Sequence, residues 1–234
     1  MRCWFGLYSP AAICRMEHGI VSDVKQGRHS LRTLTSCGLA VCLGAIPFGV
    51  AFGIWRSPFQ ALVSGLKMPV LIFSTILISA AANTLLAQVL GARLSFRKVL
   101  NAMAFAFAIT SVMLGSLSPA TCFLAMQAPQ AGSAEQWIAY RQVLLINSAW
   151  IALCGLTGNA CLYRLLRGLT SSRATAARVL LSWILMAGLA GSELAWILSP
   201  FLAKPGIPVP LINPDAFRGN IFEYVVQTVT GGLR

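Results

Sequence analysis

With 57% hydrophobic residues, 10% charged residues and a mean hydropathy of +0.74, this chain of 234 residues cannot cover a water-soluble fold, in which about 25% of residues are charged. Its 18 basic residues against six acids give a net charge of +12. They fall between long apolar runs and not along one basic stripe, which argues against a nucleic-acid surface, and the hydrophobicity excludes a disordered chain. The expected fold class is all-α, an integral membrane helical bundle with no nucleic-acid partner.

Residues 1–35 read as a basic N-terminal cytoplasmic segment. Their apolar stretch Cys3–Cys14 is short, contains Pro10, and runs into Arg15, Glu17 and His18 with no small-residue cleavage site. An unprocessed segment is the expectation. The transmembrane domain follows over 36–203. A bilayer core about 30 Å thick takes roughly 20 apolar residues as a helix. Five such runs occur, near 36–55, 69–91, 99–126, 142–163 and 178–202. Pro47 is expected to kink the first.

Between the first two spans, Ser57–Met68 opens with a serine N-cap and proline at the first helical position. It places Phe59, Leu62, Val63 and Leu66 at helical spacing, which predicts an interfacial amphipathic helix with Lys67 snorkelling. Residues 204–234 begin as a proline-rich linker, Lys204–Pro214. They end in a second amphipathic stretch, Phe217–Val229, with Ile221, Phe222, Val225 and Val226 on one face.

Loop charge sets the orientation. With a cytoplasmic N-terminus and five crossings, twelve basic residues lie inside and six outside. If the first run does not cross, the split becomes eleven against seven. The five-crossing arrangement is the expectation.

The chemistry-bearing residues are few. His18 and His29, the only histidines, precede every span, so no haem ligand or histidine base lies at membrane depth. HExxH and GxxxxGK[ST] are absent, and no aspartate falls within a span. The expectation is a non-enzymatic chain without catalytic residues, metal or cofactor. Seven cysteines include no CxxC. Cys154 and Cys161 share a helix face, either as small buried hydrophobes or as a disulfide or two-ligand metal pair.

Glu193 is the one acid within a span, placed near the centre of the fifth. An ionised carboxylate there costs about 2.5 to 3.5 kcal/mol on insertion scales. The candidate polar cluster joins it to Asn83, Asn147 and Asn159, with Thr110 and Ser111 as further possible partners. Such a cluster serves as a clasp between helices, a proton or cation relay, or a lipid or partner contact. Gly49 and Gly53 form GxxxG, and Ala187/Gly191 and Gly188/Ser192 repeat that spacing. Trp4, Trp55, Trp137 and Trp196 fall near expected interfaces, whereas Trp150 and Trp183 lie deeper. Arg164, Arg167, Arg173 and Arg178 surround an acid-free turn, either as contacts to anionic lipid or as an orientation signal.

The order of elements resembles the bacterial Yip1-type membrane proteins. The residues that carry the likeness are Ser57-Pro58-Phe59-Gln60-Ala61-Leu62 and Lys67-Met68-Pro69, which lead into the second span. Ser192-Glu193-Leu194-Ala195-Trp196, Ser199-Pro200-Phe201 and Pro214-Asp215-Ala216-Phe217 look like stretches that recur in bacterial membrane proteins. The resemblance runs from Trp55 to the end. It implies a membrane-organising or trafficking-type role in a bacterial inner membrane, with no catalytic residues to carry over.

The leading expectation is therefore a scaffold or assembly factor that contacts other membrane subunits or its own copies. A small transporter or channel component using Glu193 and the asparagines is the alternative. An accessory subunit of an energy-converting complex is a third reading.

Overall fold

The computed structural model describes residues 3–4, 7–27, 30–129, 132–202 and 212. Apart from Ile212, the linker and tail read in 204–234 lie outside the described residues. A two-residue antiparallel pairing, β1 (Cys3–Trp4) with β2 (Leu7–Tyr8), opens the fold. Two short helices follow, α1 (Pro10–Cys14) and α2 (His18–Gln26). Then come α3 (Ser30–Gly53), α4 (Pro58–Val89), α5 (Phe96–Gln127), α6 (Gln136–Arg167) and α7 (Arg173–Leu198). These last five are each long and apolar enough to cross a membrane.

The helices outrun the apolar runs that seed them. α4, α5 and α6 have 32 residues each, about 48 Å at 1.5 Å per residue. They therefore project beyond a 30 Å core or cross it at a slant. The largest difference from the sequence reading is at Pro69. Ser57–Met68 is helical, with Ser57 Oγ accepting from the Gln60 N–H at 3.1 Å, but it runs unbroken into the second span. Pro47, Pro69 and Pro119 all lie inside helices. A proline removes one backbone bond, and neighbouring helices hold the turns on either side.

α5 is the central element. All six residues from 101 to 106 are buried, and 61% of its most apolar stretch is enclosed, against 22% in α6 and 6% in α7. α3 lies along α5 at a backbone-to-backbone crossing. A Cβ on Gly44 would strike the Ser111 carbonyl, and one on Gly115 would sit 2.7 Å from the Gly44 Cα. The GxxxG pair serves α4: Cβ atoms on Gly49 and Gly53 would meet the Ser64 carbonyl at 2.6 Å and the Gln60 carbonyl at 2.7 Å. Small residues here permit close approach within the chain.

Aromatic side chains tie one end of the bundle together. Trp55 Nε1 donates to the Pro129 carbonyl at 2.9 Å, so the α3–α4 and α5–α6 connectors share this end. The Tyr140 ring lies 6.3 Å from Trp55 and 6.2 Å from Trp137. The opposite end carries the α4–α5 and α6–α7 connectors, and the N-terminal helices pack there. Ile13, Ile20 and Val24 are fully buried. Tyr8 Oη donates to Asp23 at 2.7 Å, and the Arg32 guanidinium sits 4.4 Å from the Tyr8 ring centre. Residues 7–27 are therefore a folded cap on the bundle.

Candidate functional site

The four residues of the proposed polar cluster are not hydrogen-bonded to one another among the described residues. Asn83 is buried where three helices meet: its Nδ2 approaches Met103 Sδ of α5 at 3.4 Å. Its backbone carbonyl accepts from Trp183 Nε1 of α7 at 3.0 Å. Asn147 and Asn159 each turn their amide back on their own helix, donating to the Val143 and Gly155 carbonyls at 2.8 and 3.0 Å. Thr110 donates to Ala106 of its own helix at 3.1 Å and reaches the Cys154 carbonyl of α6 at 3.5 Å. Asn83 and Thr110 thus reach a neighbouring helix, while the described bonds of Asn147 and Asn159 stay within α6.

Glu193 occupies a different position from the one its place in the apolar run suggests. It lies five residues before the α7 terminus at Leu198, about 8 Å from the helix end. A carboxylate there reaches the interface more cheaply than one at the bilayer centre. It is partly exposed, with no hydrogen-bond partner among the described residues. Gly191 faces α4, since a Cβ on it would lie 3.5 Å from Thr75. Two residues further along an α-helix is a turn of about 200°, so Glu193 sits on the flank away from α4.

A polar site that the sequence reading missed lies on α4. Gln60, Ser64 and Lys67 fall at helical spacing on one face and are buried, Lys67 with 6% exposure. Gln60 Nε2 donates to Ser64 Oγ and to the Phe201 carbonyl, both at 2.8 Å. Ser64 Oγ donates to that same carbonyl. Lys67 Nζ donates to the Pro200 carbonyl at 3.1 Å. The chain leaving α7 is thus gripped by three side chains of α4. This corrects the snorkelling expected of Lys67: its apolar neighbours Phe59, Leu62 and Leu66 point outward, each more than half exposed, while the polar face turns inward. A membrane helix puts its apolar side to lipid and satisfies its polar groups inside.

The arginines of the α6–α7 turn are where the sequence places them. Arg164, Arg167, Arg173 and Arg178 are all exposed, and Ser172 caps α7 by accepting from the Thr175 N–H at 3.1 Å. One further cation joins them. A Cβ on Gly168, in the middle of this turn, would lie 2.5 Å from Lys25 Nζ of α2. Nothing in the sequence spacing links Lys25 to residue 168.

Six described cysteines are free thiols, Cys154 and Cys161 among them. Cys161 comes near Cys14 of α1. Burial first, and this neighbour second, push the Cys14 thiol above its usual range, which keeps it protonated at neutral pH. Among the described residues, no three His, Cys, Asp or Glu side chains group as metal ligands. A shallow pocket of about 200 Å³ lies between the ends of α5 and α6, lined by Leu124, Gln127, Gln142 and Asn147.

These features define an integral, multi-pass membrane protein. No family model, characterised protein or solved structure matches the chain.

Proposed function

We propose that this chain is a non-enzymatic scaffold or assembly subunit of a membrane complex, with its N-terminus cytoplasmic and an anionic bilayer around it. The observation that carries this reading is the uneven enclosure of the bundle. α3 and α5 are locked together, whereas α7 buries only Ala176, Val179 and Trp183 fully, and α6 leaves an outward row of Ile138, Leu145 and Leu156, each more than half exposed. Such faces suit other subunits or a second copy, and the likeness to Yip1-type proteins of a bacterial inner membrane points the same way. The tryptophan-bearing end then lies outside. A reporter fused at Gly132 is expected to read outside, and one at Ser171 inside; the reverse pattern would invert the orientation.

Glu193 separates this role from transport. The chain reconstituted alone in liposomes is expected to pass no proton or cation current above protein-free vesicles, and Glu193→Gln should change neither yield nor oligomeric state. A proton-coupled flux that Glu193→Gln abolishes, with the fold retained, would replace the scaffold reading with a transporter.

A further inference from the structure

We propose that Lys25, Arg164, Arg167, Arg173 and Arg178 form a binding site for the headgroup of an anionic phospholipid that carries two phosphates. The inference rests on the membrane-spanning reading above and adds a specific ligand chemistry to it. The five cations come from three elements. Arg164 and Arg167 stand in the last turn of α6, and Arg173 and Arg178 in the first two turns of α7. Lys25 lies between these pairs, with its ammonium over the backbone of Gly168.

Among the described residues, no ion pair neutralises these five cations. The one acid within α7 is Glu193, at the far end of the helix. Asp23, two residues from Lys25, accepts from Tyr8 Oη and is turned about 200° away around α2. A cluster of this density repels itself unless an anion is present. Guanidinium forks before and after the turn over which the ammonium sits suit two phosphates joined by a short linker.

The surroundings select a lipid over a soluble anion. Leu181 and Leu185 follow Arg178 along α7 and are 59% and 60% exposed. The cations thus stand on the rim of an outward apolar surface, at the level where headgroups meet acyl chains. The guanidiniums are exposed, which suits a headgroup held in place by its own tails.

The test uses the full chain, purified and titrated with lipid, with retention read by native mass spectrometry. The probes are diphosphatidylglycerol, phosphatidylglycerol at equal charge, phosphatidylcholine, and inorganic pyrophosphate as the lipid-free arm. One cation near a membrane surface is worth about fivefold in anionic-lipid affinity. Lys25→Gln is therefore expected to weaken diphosphatidylglycerol binding about fivefold, and Arg164→Gln with Arg167→Gln about 25-fold. Arg141→Gln, at the opposite end, should have no effect.

Equal retention of phosphatidylcholine, or unchanged binding in folded Lys25→Gln and Arg164→Gln/Arg167→Gln proteins, would overturn the proposal. Effective competition by pyrophosphate, with no preference for lipid, would overturn the choice of a lipid. A change in stability alone would make Lys25 a cap on the α6 carbonyls and refute its place in the site. Extraction of the chain from membranes by alkaline carbonate would instead defeat the membrane reading itself, so the two failures are told apart.

Discussion

Gly44→Leu is expected to prevent α3 from docking on α5, and even Gly44→Ala should cost about 2–3 kcal/mol. The first side-chain carbon would occupy the position of the Ser111 carbonyl and crowd the Val112 nitrogen at 2.7 Å. Both are backbone atoms of the most enclosed helix, so relief requires the helices to separate and loses dispersion contacts along the whole crossing. Helix propensity acts in the opposite direction, since alanine is favoured over glycine by about 1 kcal/mol. That gain decides the result where space is free. Among the described residues, nothing lies within 4 Å of a Cβ added at Gly155 or Gly188, so Gly155→Ala and Gly188→Ala should be neutral or slightly stabilising. Thermal unfolding of the four variants in one detergent measures the contrast, and equal losses at Gly44 and Gly188 would contradict the crossing.

The second large effect is expected at Trp183. This side chain is 2% exposed and is the principal anchor of a helix that otherwise faces outward. Trp183→Ala should cost about 3–5 kcal/mol. Trp183→Phe keeps most of the packing and loses the bond to the Asn83 carbonyl, a loss of about 1 kcal/mol. The damage should be local, because α3, α4, α5 and α6 hold one another without α7. Limited proteolysis is then expected to cut Trp183→Ala within 168–172 and leave the N-terminal four-span body intact. Global loss of structure at the same temperature would show that α7 is integral to the core.

How much of this is legible in the sequence depends on the kind of information each feature needs. The spans are legible because length and lack of charge are properties of one segment, and the Ser57-Pro58 start is a local signal of the same kind. The expected break at Pro69 fails because helix continuity there is fixed by α3, through Gly49 and Gly53, and not by the proline's own neighbourhood. The GxxxG pair announces a close approach but not its partner, and the same is true of Ala40/Gly44 and Ser111/Gly115 at the tighter crossing. The Gln60, Ser64 and Lys67 stripe was readable as a polar face. Its destination was not, since the carbonyls it grips lie 141 and 133 residues away. Asn83, Asn147, Asn159 and Glu193 share membrane segments, but sharing a depth and a facing side requires helix phase and neighbours. The 200° between Gly191 and Glu193 matters only once Gly191 is known to face Thr75.

The scaffold reading makes one demand above all, that the outward faces of α6 and α7 meet protein. A photoreactive amino acid placed in turn at Ile138, Leu145 and Leu189 of the full chain, in its native membrane, reports what lies within a few ångströms. The account predicts a discrete protein adduct of constant mass, another subunit or a second copy, at Ile138 and Leu145, and only intrachain products from a probe at buried Phe105. Lipid adducts alone at all three outward positions would contradict it.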